Sequence, residues 1–197
     1  MSETFLLGGS FDPIHEGHLE LARALLKRFN PEKILMIPAQ QNPLKDTRPT
    51  PAEHRWAMVE LALKELNERR VRGWKGELLR VGPSFTIDTL HELSKLGEKN
   101  LVLVMGNDVY QHFSSWKDPE GIRAIARLLI VDRELKDAVP MAPGTDRFVF
   151  PALPYSATGL RRGIAALWKS GKVQVKPQGI GHSVWQYIKE NRLYAVE

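Results

Sequence analysis

The sequence of 197 residues contains no cysteine, and this absence removes several kinds of chemistry at once. Disulfide bonds, thiol nucleophiles and cysteine-ligated zinc are excluded, and a chain without cysteine is typical of a reducing compartment. No apolar run approaches the roughly 20 residues that are needed to cross a bilayer. The amino terminus also lacks a basic segment followed by an apolar signal core. These absences predict a soluble, cytoplasmic protein.

Linkers, internal repeats and low-complexity segments are missing as well, so we expect a single domain over residues 1–197. The net charge of +5 favours polyanionic partners, which include nucleotides and nucleic acids. The basic residues are dispersed, however, and there is no RNA-binding sheet signature, zinc finger or basic stripe with interleaved aromatic residues. A nucleic-acid-binding module therefore remains an alternative that no motif favours.

Short apolar runs alternate with helical stretches, which is the pattern of an α/β protein. Residues 16–29 place apolar side chains at helical spacing, and Asn30 and Pro31 predict where that helix ends. This helix connects two apolar runs, so the unit is strand–helix–strand with parallel strands. We expect a single Rossmann-like α/β domain with a mostly parallel sheet flanked by helices. Its strands are predicted at residues 5–7, 34–37, 78–81, 101–105, 126–131 and 147–150.

Residues 8–18, with the sequence GGSFDPIHEGH, join the first predicted strand to the first helix through a glycine turn. Backbone N–H groups at such a junction can face an anion. His15 and His18, three residues apart at the helix start, can donate hydrogen bonds to charge that builds up on phosphoryl oxygens. A glycine turn or a single histidine is often only structural, but the combination indicates a phosphate site.

This string resembles the GG(S/T)FDPxHxGH signature of nucleotidyltransferases, and it is most similar to that of the bacterial nicotinate-mononucleotide adenylyltransferases. The resemblance implies transfer of the adenylyl group of ATP to nicotinate mononucleotide, which gives nicotinic acid adenine dinucleotide and pyrophosphate in NAD biosynthesis. It also implies catalytic roles for His15 and His18. The residues implied to bind ATP here are Gly8, Gly9, Ser10 and Phe11.

A second stretch, YSATGLR at residues 155–161, resembles the family's I-S-(S/A)-T-x-(I/L)-R element. Two hydroxyls at a helix start and an arginine one turn later can hold two phosphoryl groups. The resemblance implies that Ser156 and Thr158 bind ATP and that Arg161 takes part in catalysis. The chain departs from the pattern at Tyr155, and a glycine at position 159 weakens the first helical turn.

Three shorter elements between these signatures follow the order of the family. Gly106 and Asp108 match a GxD element that the family uses at the nucleotide, and we expect the Asp108 carboxylate to be a buried acceptor. PSFT at 83–86 and FSSW at 113–116 match elements at the nicotinate mononucleotide. Plain helix caps and a core tryptophan remain alternatives for these two. The residues implied for nicotinate mononucleotide are Gln40, Ser84, Phe85, Thr86 and Trp116.

The segment after the second strand is polar and rich in proline, so we expect a loop beside the site. The resemblance gives Lys45 a phosphate contact within ATP binding. Asn42-Pro-Leu-Lys45 stands where many relatives carry Pro-Pro-His before the basic residue, so the roles of Asn42 and Lys45 stay open. The next helix is predicted to begin with a capping box at residues 50–53. His54 and Arg55 in its first turn match neither its core face nor a site.

No nucleophile with a paired base and no carboxylate pair accompanies these motifs. The chemistry that fits is in-line attack on ATP without a covalent intermediate, with Mg²⁺ carried by the phosphates and no protein-built metal site. Within the same fold, a cytidylyl or pantetheine-phosphate transferase is the alternative. An NAD-binding oxidoreductase is disfavoured because GxGxxG is missing from the first turn. The sequence leaves open whether the chain forms a homodimer, and the segment 132–147 carries no motif.

Overall fold

The computed structural model describes residues 2–41, 49–132, 143–151 and 153–195. Its strands are β1 (Thr4–Gly9), β2 (Lys33–Pro38), β3 (Val71–Gly73), β4 (Leu101–Gly106), β5 (Ala126–Asp132) and β6 (Thr145–Val149). They form one sheet in the order β3-β2-β1-β4-β5-β6, and every neighbouring pair is parallel. The predicted α/β fold is confirmed. The strand order reverses between β1 and β4, which is where such sheets bind ligands at their carboxyl ends.

Helices cover both faces of this sheet. They are α1 (Glu16–Phe29), α2 (Ala52–Leu66), α3 (Thr86–Lys95), α4 (Asn107–Tyr110), α5 (Pro119–Ile125), α6 (Ala157–Lys169) and α7 (His182–Glu190). The core on one face contains apolar residues of α1, α2, α6 and α7, and the core on the other contains those of α3 and α5. Successive residues of β1 serve different cores: Phe5 and Leu7 face the first and Leu6 the second. Within the described ranges, no helix has the length and apolarity that a membrane span requires.

The third strand lies earlier than predicted. Residues 78–81 were expected to be a strand, but Gly76–Leu79 forms a short 3-10 helix. Leu79 and Val81 are exposed to 73% and 103%, so these two apolar residues do not belong to the sheet. The strand is instead Val71–Gly73, where the sequence predicted no strand. Only Val71 is buried there, and three residues with one apolar side chain carry no detectable strand period.

Two element ends also differ from the prediction. Helix α2 has Pro51 at its N-cap without a side-chain hydrogen bond, so the predicted capping box is wrong. The backbone N–H of Thr50 donates instead to Asp12 Oδ2 over 3.0 Å. The last strand begins at Thr145, two residues earlier than expected, and an ion pair of 2.7 Å joins Arg147 to Asp132 on the neighbouring strand.

Candidate active site

The two signature segments, which lie at opposite ends of the sequence, meet beside the carboxyl end of β1. Arg161 Nη1 on α6 donates to the backbone oxygen of Asp12 over 2.7 Å, although 149 positions separate them. At the same edge of the sheet, the N–H of Ala39 after β2 donates to the oxygen of Gly9 over 2.9 Å. The described structure therefore brings Arg161 next to the loop that carries the two predicted histidines.

A backbone hydrogen bond sets the tautomer of His18. The N–H of His15 donates to His18 Nδ1 over 3.2 Å, and the two imidazole rings stack with centroids 3.8 Å apart. Because Nδ1 accepts this bond, the proton of a neutral His18 ring lies on Nε2. His18 can therefore offer Nε2–H as a fixed donor, which is the role predicted for it.

Both histidines are neutral at pH 7. Burial lowers the pKa of His15 to about 4. Burial, with a smaller contribution from His15, lowers the pKa of His18 to about 3. The ring of Phe11 stands edge-on to that of His18 at 4.9 Å and helps to exclude water from it. The Phe11 side chain is itself 2% exposed, so its contribution to a nucleotide would come from its backbone or through His18.

The glycine between the histidines makes room for an imidazole. A Cβ at Gly17 would lie 2.9 Å from His15 Nδ1, closer than real Cβ contacts allow. The first amides of α1 are already engaged, since the N–H of Glu16 donates to Gly179 and that of His18 donates to His15. The predicted cradle of backbone amides is therefore partly occupied at the start of α1.

The start of α6 is built by a serine cap. Ser156 is the N-cap, and its Oγ accepts the N–H of Gly159 over 3.1 Å, so its own proton can still be donated. A Cβ at Gly159 would lie 3.0 Å from that oxygen, so a glycine at this position suits the cap. Ser156 and Thr158 are exposed, and Thr158 Oγ1 lies 3.5 Å from Arg161 Nη2. Hydroxyl and guanidinium donors thus share one surface.

The loop before α3 is tied to the end of β2. Ser84 Oγ accepts the N–H of Gln40, and the N–H of Ser84 donates to the oxygen of Gln41, both over 2.9 Å. The N-cap of α3 is Phe85, so neither Ser84 nor Thr86 is the helix cap that remained an alternative in the sequence. Ser84 instead joins two loops at the same edge of the sheet as the histidines.

The GxD element at the end of β4 differs from the prediction in one respect. Asp108 is exposed, so the expected buried acceptor is wrong. Its carboxylate folds back over Gly106, where an added Cβ would collide with Oδ1. Trp116 is half-buried, packs 5.5 Å from the ring of Phe113, and has a buried indole N–H without a hydrogen-bond partner among the described residues. Asn42 and Lys45 lie outside the described residues.

The sequence did not reveal the importance of Arg55, which is 1% exposed on α2. Its guanidinium makes four hydrogen bonds of 2.6–3.1 Å, all to backbone oxygens, namely those of Ser10, Ala39, Gln40 and Thr50. These oxygens belong to the loops that follow β1 and β2. The only signal in the sequence was a positive charge in the first turn of a helix, where the dipole disfavours it.

Among the described residues, no group of three or more histidine, aspartate or glutamate side chains could hold a metal ion. The donors near Arg161 are neutral or cationic, and such groups bind phosphate oxygens rather than Mg²⁺.

Comparison with known proteins gives matches over most of the chain. A family described as cytidylyltransferase-like matches residues 6–179. A protein of Chloroherpeton thalassium, named a probable nicotinate-nucleotide adenylyltransferase, is 37% identical over 208 aligned residues and covers 100% of both chains. A protein of the same name from Leptospira interrogans is 34% identical over 98% of this chain and 96% of its own. Plasmodium falciparum nicotinic acid mononucleotide adenylyltransferase, solved with NaAD, shares the fold with a TM-score of 0.76 at 17% identity, over 100% of this chain and 99% of its own.

Proposed function

Because the chain belongs to the cytidylyltransferase-like family, and within it to the nicotinate-nucleotide adenylyltransferases, we propose that it joins ATP and nicotinate mononucleotide. It transfers the adenylyl group of ATP to the mononucleotide phosphate, and the products are nicotinic acid adenine dinucleotide and pyrophosphate in NAD biosynthesis. The observation that carries this proposal is the contact of Arg161 with Asp12, which sets the start of α6 beside the histidine pair.

The triphosphate binds between these two segments in our proposal. Ser156, Thr158 and Arg161 supply hydroxyl and guanidinium donors from α6, because charge-assisted and bidentate bonds suit phosphoryl oxygens. On the other side, the end of β1 and the loop after it supply further donors to the phosphates. These come from Gly8, Gly9, Ser10 and the backbone of Phe11. Gly106 and Asp108 face the nucleoside part of ATP, and Lys45 adds a phosphate contact from the loop after β2.

Chemistry at the α-phosphorus requires one bond to form and one to break. An oxygen of the mononucleotide phosphate attacks the α-phosphorus, and the bond from that phosphorus to the oxygen bridging to the β-phosphate breaks, so pyrophosphate leaves with the electron pair. The attacking phosphate is already ionised at neutral pH, so no general base is needed. His15 and His18 stabilise the charge that develops on the phosphoryl oxygens as neutral donors, which agrees with their lowered pKa values.

Nucleotidyltransferases that use ATP work with a divalent cation, which neutralises charge on the phosphates. We infer that this cation is Mg²⁺ and that it arrives on the phosphates, because the side chains at the site are phosphate donors. The protein's part is to hold the phosphates through Ser10 and the α6 residues.

Nicotinate mononucleotide lies on the side of the loop before α3. Ser84 joins this loop to Gln40, and Phe85, Thr86 and Trp116 complete the surface that we assign to the pyridine nucleotide. An aromatic ring such as that of Trp116 can stack on a pyridine ring. The chain acts in this account as a single cytoplasmic domain on two small molecules, and not on a nucleic acid.

Dinucleotide formation tests the proposal directly. The protein is incubated with ATP, Mg²⁺ and either nicotinate mononucleotide or its amide analogue, and pyrophosphate and dinucleotide are quantified against ATP alone. We expect both products in equal amounts, with faster turnover for the acid. Faster turnover with the amide would contradict the substrate, and no turnover with either would contradict the function. Binding to DNA or RNA with a steep salt dependence and no pyrophosphate would favour a nucleic-acid module instead.

A further inference from the structure

Asp12 receives hydrogen bonds from three distant parts of the chain. Arg161 donates to its backbone oxygen over 2.7 Å, and the N–H of Thr50 donates to Oδ2 over 3.0 Å. The hydroxyl of Tyr194 donates to Oδ1 over 2.7 Å from 182 positions away. Asp12 is 6% exposed, so these bonds replace water around its carboxylate. The residue is therefore held from both sides, through its carboxylate and its carbonyl.

The segment that brings Tyr194 to Asp12 is itself anchored. The indole N–H of Trp168 on α6 donates to the oxygen of Leu193 over 3.0 Å, and Leu193 is buried in the core below α1. Tyr194 has a positive φ of 59°, a backbone conformation that needs support from its surroundings. Burial, with the neighbouring Asp12 carboxylate, raises the pKa of Tyr194, so its hydroxyl keeps the proton that it donates.

The two ends of Asp12 are mechanically coupled. With both carboxylate oxygens bonded, the side chain has one orientation, and this limits rotation of the peptide group whose oxygen accepts the bond from Arg161. Without the Tyr194 hydroxyl, a buried charged acceptor loses one partner, and it regains one only by rotating or by admitting water. Either response moves the acceptor that holds Arg161 in place.

We propose that Tyr194 is a positioning residue for the ATP site, and that it acts through Asp12 on Arg161 and on the loop leading to His15. The segment after α7 is then a working part of the nucleotide site and not only a packing element. This inference rests on the proposed function, because it assumes that the triphosphate of ATP binds at the surface formed by Ser156, Thr158 and Arg161.

Two tyrosines near the end of the chain give a matched pair of variants. Tyr194→Phe removes the bond to Asp12, and Tyr187→Phe removes a bond of 2.9 Å between the Tyr187 hydroxyl and His54 Nδ1. Both changes delete one buried or half-buried hydroxyl that bonds a side chain, and thermal denaturation measures how much stability each variant loses. Without this bond Asp12 can take other orientations that do not hold Arg161 in place, and the size of a hydrogen bond to a charged group makes a loss of affinity of about tenfold the expected scale. We expect Tyr194→Phe to weaken ATP binding and lower kcat/KM for ATP about tenfold, with KM for nicotinate mononucleotide unchanged. Tyr187→Phe should change neither.

Binding of an α,β-methylene analogue of ATP, measured by calorimetry without the second substrate, separates this inference from the proposed function. A tenfold loss of affinity in Tyr194→Phe supports the inference even if no dinucleotide is ever formed. Equal effects of the two variants, or unchanged affinity in Tyr194→Phe, would overturn it. In the Arg161→Lys background we expect Tyr194→Phe to add little further loss, because the two residues act on one contact. Fully additive losses would show that Tyr194 does not act through Arg161.

Discussion

Arg55 is a buried cation, and its four hydrogen bonds to described residues go to backbone oxygens. Its four acceptors lie in the loops after β1 and β2, so one guanidinium ties both walls of the site to α2. Burial lowers the pKa of Arg55 and the Asp12 carboxylate opposes this effect, but a guanidinium keeps its charge in proteins. The planar fork of arginine spans several acceptors at once, which the single nitrogen of lysine cannot do.

Arg55→Lys tests this arrangement. The change keeps the charge but leaves carbonyls of half-buried residues without donors, so we expect the free energy of unfolding to fall by about 3 kcal/mol in chemical denaturation. Arg23→Lys on α1 is the control, because Arg23 is exposed and forms ion pairs with two carboxylates of its own helix. That variant should lose at most about 0.5 kcal/mol. Similar losses in both variants would show that the four bonds contribute little.

His18 is expected to act on the transition state and not on binding. His18→Ala removes a fixed neutral donor, so kcat should fall by ~10²-fold or more while ATP affinity stays largely intact. His18→Asn should recover part of the rate, because an amide can still donate. Steady-state kinetics and direct ATP titration check the two effects separately. An unchanged kcat in His18→Ala would remove this residue from the mechanism.

Among the helices and strands, the sequence predicted best those in which apolar residues repeat regularly over a long stretch. The helix expected at residues 16–29 is Glu16–Phe29, because its apolar face repeats over four turns and Asn30 ends it in a left-handed conformation. The strand β3 was missed because three residues with one buried side chain carry no period. Arg55 could not be interpreted from the sequence for another reason: its acceptors are carbonyls of loops that only the fold brings together.

The loop before α3 is expected to affect binding of nicotinate mononucleotide and not binding of ATP. Ser84→Ala removes the acceptor for the N–H of Gln40 and leaves a half-buried amide unpaired. We expect KM for nicotinate mononucleotide to rise about tenfold with KM for ATP nearly unchanged, since the loss is worth roughly 1–2 kcal/mol. Ser94→Ala on the exposed surface of α3 is the control. Equal changes in both KM values would place Ser84 in the general support of the fold.

For the whole molecule, the neutral histidines make stability depend on pH. The pKa values of His15 and His18 in the folded chain, about 4 and about 3, lie below the ordinary 6.5. Below pH 6.5 the unfolded chain therefore binds protons that the folded chain does not bind. The free energy of unfolding falls as the pH is lowered from 6.5 towards 4, and the stability is complete above this range.

Denaturation of the protein without ligand at a series of pH values between 7 and 4 checks this dependence. Replacing both His15 and His18 by asparagine should make the loss of stability between pH 6.5 and 4 shallower. His91→Asn, at an exposed position of α3, should leave the slope as it is. If the free energy of unfolding changes with pH by the same slope in the double variant as in the unchanged protein, these imidazoles take up protons as readily in the folded chain as in the unfolded one.

A single in-line displacement on ATP by nicotinate mononucleotide, promoted by fixed donors, has a stereochemical consequence at the α-phosphorus. The most direct measurement uses one diastereomer of ATP with sulfur on the α-phosphorus and determines the configuration of that phosphorus in the dinucleotide. A single displacement predicts a dinucleotide with inverted configuration. Retention would indicate a covalent adenylyl intermediate on the protein and contradict the mechanism, and absence of the dinucleotide, with the same preparation also failing on ordinary ATP, would contradict the proposed reaction itself.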